Sequence, residues 1–345
     1  MVDTTNGAQV EFPTLCPSLM IEALIKCFKA LEPVLLKGMP GIGKTDIVKL
    51  ACKMLGAKLF ICHPVVDEPT DYKGFPFVVE GKAEFLPYGM LRLIIEAKKL
   101  TVVFLDDLGQ AGPSVQAAAM QLLLGREING KKVSDKVVFV AATNRKQDRA
   151  GVSGLLEPVK SRFLSILELS VDVSEWIEWG AANGQPSSNL VFIQTRPNLL
   201  CDFKPTADIT NTPCPRTVAH CGRIIKMDFD PVIEHAMFAG AAGVAFATEL
   251  SGFMRLARMN IDPHLALANP DTVDIPTQPD RRYALAGSIA EFVREDTMPN
   301  FVQLLSRMEP EYSVLAMTLA RGRDKTLAQT RAFAMWAKDN TDIFN

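Results

Sequence analysis

Paired cysteines, a basic surplus and a long apolar run are all missing from this sequence, and each absence narrows what the chain can do. The seven cysteines (16, 27, 52, 62, 201, 214 and 221) form no C-x-x-C, and several fall within apolar segments. They read as small buried hydrophobes of a reducing cytoplasm. The four histidines, His63, His220, His235 and His264, share no metal-ligand spacing and are expected to be structural. Lysine and arginine total 37 against 39 aspartates and glutamates, a net charge of -2. Nucleic-acid binders usually carry a basic excess or stripe, so a polyanionic partner is not expected. The longest weakly polar run, Ala236 to Thr248, is too short to span a bilayer and gives way to Glu249 and Arg255. Its Gly and Ala content suggests a tightly packed helix instead. Met1 to Gln9 is polar and acidic, so no secretory leader is expected and the chain is expected in the cytoplasm. There is no internal repeat and no low-complexity tract.

What is present begins with size. At 345 residues, with 48% hydrophobic and 22% charged content, the chain suits an ordinary soluble protein of two or three domains. Its most informative stretch is Gly38-Met39-Pro40-Gly41-Ile42-Gly43-Lys44-Thr45, which reads G-x-x-x-x-G-K-T. An apolar run, Pro33 to Leu36, precedes it and a helical pattern, Asp46 to Leu55, follows, which is the context a phosphate-binding loop requires. The glycines let the backbone turn tightly so that successive N–H groups face one concavity, where a triphosphate fits. Lys44 would add a point charge on the β and γ phosphates, and the Thr45 hydroxyl would hold Mg²⁺. The helix opening at Thr45 and Asp46 would turn the positive end of its dipole to the anion.

Four further buried strands are expected: Lys58 to Cys62, Thr101 to Leu105, Val137 to Val140 and Leu164 to Leu169. Helices lie between them, and strands apolar throughout that alternate with helices indicate a parallel sheet covered on both faces, here five-stranded. Such sheets bind ligands at the C-terminal ends of their strands, where Asp106, Asp107 and Asn144 fall. Val66 to Pro87 reads as an insertion with a small hairpin, and Asn129-Gly130 is a two-residue hairpin signal. Beyond Asp172 the pattern is helical. The expected division is 1–172 for the nucleotide-binding αβα domain, 173–235 for a helical lid and 236–345 for a helical C-terminal extension.

The ordered set GMPGIGKT, VVFLDD, VAATN, KSRF and Pro213-Cys214-Pro215-Arg216 resembles the AAA+ ATPases, and among them the MoxR-like branch of bacteria and phages. The branch rests on the Val66–Pro87 insertion and the hairpin before the Asn144 strand. The resemblance implies ATP and Mg²⁺ as ligands, with Gly38 to Asp46 cradling phosphate. It implies that Thr45 and Asp106 serve the metal, Asp107 polarises the attacking water, and Asn144 orients that water as sensor 1. It further implies that Arg162 is a finger inserted into a neighbouring subunit's site and that Arg216 is sensor 2 on the lid. A ring, hexameric by family habit, would hydrolyse ATP and remodel a protein client such as a von Willebrand factor type A domain protein.

Asp107 departs from the glutamate usual there; its carboxylate falls roughly 1.5 Å short, and a misplacement on the order of 1 Å can cost about 10²-fold. Slow turnover, or a nucleotide-gated scaffold in which Asp107 only caps its loop, is the alternative. A nucleic-acid motor is a second alternative, since hairpin-bearing relatives translocate on DNA. Arg145 and Arg149 could reach an interface, and Lys131-Lys132 could touch a client.

Overall fold

The computed structural model describes residues 13–148, 154–206, 208–259 and 261–340. The chain divides into two compact units, 1–171 and 172–345. The first runs β1 (Thr14–Leu15), α1 (Pro17–Ala30), β2 (Val34–Lys37), α2 (Lys44–Leu55), β3 (Lys58–Cys62) and α3 (Pro69–Lys73). It continues with β4 (Phe75–Val79), β5 (Lys82–Leu86), α4 (Gly89–Ile95), β6 (Thr101–Leu105) and α5 (Pro113–Gly125). It closes with β7 (Glu127–Ile128), β8 (Lys131–Lys132), β9 (Val137–Thr143), α6 (Glu157–Lys160) and β10 (Ser165–Leu169).

Six strands form one sheet in the order β1-β10-β2-β9-β6-β3, every pair parallel. The two-residue β1 adds an edge strand to the five expected, because Thr14 and Leu15 extend beside Glu168 and Leu169. Side chains alternate across a strand, so each strand serves two cores. Val34, Leu36, Val102, Phe104, Val138 and Val140 pack with Leu24 and Phe28 of α1 and Val48 of α2. Leu35, Val103, Leu105, Phe139 and Ala141 face the other way, onto Leu91 of α4 and Ala118 and Leu122 of α5. β3 was expected to be buried, yet it is only partly covered, since it is the outer strand with a neighbour on one side alone.

The second unit is helical among its described residues: α7 (Val173–Ala182), α8 (Ser187–Thr195), α9 (Pro215–Ile225), α10 (Pro231–Ala242) and α11 (Val244–Arg258). After these come α12 (Pro263–Ala268), α13 (Pro279–Phe292), α14 (Met298–Leu305), α15 (Pro310–Arg323) and α16 (Arg331–Asp339). Phe192 of α8 meets Phe246 edge-on at 5.4 Å and Phe253 at 5.7 Å. Helices approach α8 closely where a side chain is absent: a Cβ on Gly287 would lie 2.6 Å from Val191 Cγ2. The division drawn at 235/236 falls inside α10. The helix expected over Ala236 to Thr248 breaks at Gly243, whose φ of 92° and ψ of 157° leave the helical region. Close packing was expected there too, and Phe238, Ala242, Phe246 and Ala247 are buried, although a Cβ on Gly240 would meet nothing within 4 Å and Met237 is exposed.

Candidate functional site

β2 delivers the chain to its C-terminal edge at Lys37, and Gly38 N–H donates to Thr143 O at 3.3 Å, pinning the loop to the end of β9. Gly41 and Gly43 take φ of 74° and 103°, which side chains bearing a Cβ rarely adopt. Ile42 turns into the core shared with α1 and α2, and Met39 packs against that core. The loop is thereby anchored at the start of α2. A twelve-residue helix leaves its first N–H groups unbonded and its dipole pointing at this spot, which favours an anion. Asp46 lies in that first turn, exposed, 3.5 Å from Lys49. Pro40 completes the loop and makes no described side-chain bond.

Two side-chain contacts tie the loop to neighbouring strand ends, and a third joins those ends to each other. Lys44 is only 7% exposed, and its Nζ donates to Gly38 O and Met39 O at 3.0 Å each and to Asn144 Oδ1 at 2.6 Å. Asn144 Nδ2 donates to Asp107 Oδ1 at 3.1 Å. Thr45 Oγ1 donates to Asp106 Oδ2 at 2.8 Å. Residues from β2–α2, from the end of β6 and from the end of β9 therefore meet within a few ångströms. Thr45 and Asp106 offer adjacent hard oxygens at a helix N-terminus, a donor set that fits Mg²⁺, which takes one or two protein oxygens and fills its shell with water and phosphate.

The structure does not bring every expected residue into this cluster. Arg162 follows α6 in the first unit, and its Nε is buried without a hydrogen-bond partner among the described residues. Arg216 is the second residue of α9, in the second unit, and is exposed. Arg145 is held within its own unit: its guanidinium grips Asp148 at 2.8 and 3.0 Å and approaches Glu168 at 3.8 Å. Glu168 in turn meets Lys37 at 2.7 Å. Arg149 lies outside the described residues. The Lys37–Glu168–Arg145–Asp148 chain, which joins the ends of β2, β10 and β9, has no local sequence signature and was not foreseen. Gln116 was also missed: the helix Ser114 to Leu124 carries two amides, Gln116 and Gln121, and only burial of the first sets it apart. The thiols near this cluster are held protonated: burial lifts Cys52 to about 11, and burial with Asp67 and Asp71 nearby lifts Cys62, whose carbonyl accepts from Asp106 N–H, to about 12.

Residues 34–171 match the family described as "ATPase family associated with various cellular activities (AAA)". Among curated proteins, the Holliday junction branch migration complex subunit RuvB of Mycoplasma pneumoniae is 26% identical over 159 residues, 43% of this chain and 44% of that one. RuvB of Mycoplasma genitalium is 26% identical over 151 residues, 41% of this chain and 42% of that one. The chain thus matches less than half the length of these curated relatives. Among solved structures, the Thermotoga maritima RuvB Holliday junction branch migration motor is 18% identical with a TM-score of 0.38, covering 87% of this chain and 85% of that one. A point mutant of the Thermotoga maritima protein scores 0.42 at 17% identity, over 79% of each chain.

Proposed function

With residues 34–171 an AAA ATPase domain, we propose that the chain binds Mg²⁺-ATP on the Gly38–Asp46 loop, hydrolyses it in a ring of copies and remodels a protein partner, as MoxR-like proteins do. The observation that carries this reading is the bonded run Lys44–Asn144–Asp107, set beside Thr45–Asp106. Phosphoryl transfer needs positioned charge and a positioned water more than covalent chemistry. Lys44 would leave its carbonyl partners and Asn144 to meet the phosphates. Asn144 and Asp107, already 3.1 Å apart, would then share the attacking water. Thr45 and Asp106 would hold Mg²⁺, which neutralises charge on the phosphate oxygens. Arg162, whose Nε has no hydrogen-bond partner among the described residues, would be the finger given to a neighbouring copy, and a finger given in trans raises turnover by about 10³ to 10⁵ in GTPases. Arg216 and the second unit would report nucleotide state as sensor and lid.

A nucleic-acid motor is the second reading, favoured by the curated relatives, whose names place them at Holliday junctions. Against it stand a net charge of -2 and the exposed Phe75, Phe77, Val78 and Phe85 on β4 and β5, apolar surface better suited to a polypeptide than to phosphates. Turnover measured with and without a four-way DNA junction separates the two. We expect no stimulation by the junction; a several-fold rise would replace the protein-client reading with the motor.

A further inference from the structure

Gln116 is 1% exposed, at the N-terminal end of α5, and it lies beside a core that includes Val115, Ala118, Ala119 and Leu122. Its side chain makes three hydrogen bonds to backbone on two separate segments. Nε2 donates to Ala111 O at 3.0 Å and to Gly154 O at 3.0 Å, while Oε1 accepts from Leu156 N–H at 3.1 Å. Two carbonyls and one N–H as partners fix which end of the amide is which. Ala111 ends the turn that starts at Asp107, the water-polarising candidate. Gly154 and Leu156 lead into α6 and Arg162.

We propose that Gln116 is a positioning residue that couples a subunit's own Asp107 turn to the arginine the same subunit offers to its neighbour. The inference rests on the reading of Arg162 as a trans-acting finger. α6 is a four-residue helix held to the core by Val159 and Phe163, and among the described residues Gln116 is the side chain that bonds the backbone leading into it. A shift of the Asp107 turn, such as Asn144 would cause on letting go of Lys44, moves Ala111 O and is passed through a rigid amide to Gly154 and Leu156. A subunit's nucleotide state would in this way bear on the rate at the adjoining site. Placement on the order of 1 Å governs about 10²-fold in rate, so loosening this tie has a measurable effect without any contact to nucleotide.

Mixed rings test it. One subunit carries Arg162→Ala, keeping its pocket but lacking a finger; the other carries Lys44→Ala, lacking a pocket but keeping its finger. The two together should regain ATPase activity that neither has alone. Adding Gln116→Met to the Lys44→Ala subunit should lower the regained kcat at least about tenfold while KM for ATP stays within about twofold, because the pocket in use belongs to the other subunit. Leu156→Pro in the same subunit removes the N–H that donates to Gln116 Oε1, at a position whose side chain is exposed and whose φ of -58° suits proline. It should reproduce the kcat loss, and it decides the matter if Gln116→Met fails to assemble. Regained activity that both variants leave intact would overturn the coupling. Failure of the parent mixture to regain activity would instead overturn the trans-acting finger, and the coupling with it.

Discussion

At position 107 the backbone takes φ of 58° and ψ of 34°, the left-handed region that aspartate enters far more readily than glutamate does. The short side chain is thus matched to its turn, and it reaches Asn144 Nδ2 at 3.1 Å despite the missing methylene. Replacing Asp107 by Asn keeps the size and the left-handed preference but removes the charge that would polarise water. Asp107→Asn should therefore lower steady-state phosphate release several-fold and leave ATP affinity intact, as titration of a labelled nucleotide would record; unchanged turnover would assign water activation to another group. Lys44, Thr45, Asp106 and Asn144 were legible because a glycine-punctuated loop and strand ends announce themselves locally. The carboxylate-to-guanidinium chain from Lys37 to Asp148 and the amide of Gln116 were not. Their partners lie up to about a hundred positions away or more, and polar pairing across strands leaves no periodic trace.

Two hairpins lie beside the sheet, and one contact joins them. Asn129 and Gly130 take φ of 49° and 80°, the double positive pair of a type I′ turn, as the Asn-Gly dipeptide demands. Asn129 Nδ2 then donates to Lys73 O at 2.5 Å, at the base of the β4–β5 hairpin, and approaches Phe85 O at 3.4 Å. Both turns were readable from sequence, whereas the bond between them was not, because turn chemistry fixes a loop's shape and says nothing of what the loop touches. Lys131 and Lys132 are exposed on β8 and take no part in that bond. Double alanine replacement should impair action on a protein client by several-fold and spare basal ATPase, with both rates measured on the same preparation. An equal fall in the two would make the lysines part of the fold. The helical unit was read less well at this scale: Gly243 splits the helix expected over Ala236 to Thr248 into α10 and α11. Continuous apolar periodicity hides such breaks, since one residue of changed ψ redirects the chain without altering the pattern before or after it.

For the molecule as a whole, the proposed division of labour between copies makes turnover a property of assembly. ATPase activity per subunit should climb steeply as protein concentration crosses the range where sedimentation shows rings forming, and Arg162→Ala should flatten that climb without preventing assembly. A rate per subunit that stays constant through dissociation would place all the catalytic groups on one chain. The loop's internal bonds also bear on how such an assembly cycles. Lys44 already spends its three donors on Gly38 O, Met39 O and Asn144 Oδ1, so an arriving triphosphate exchanges one set of partners for another and does not fill an unmet demand. Net retention is correspondingly weakened, and departing diphosphate hands the ammonium back to partners that are waiting. The same three oxygens that brace the loop from within thus help it let go.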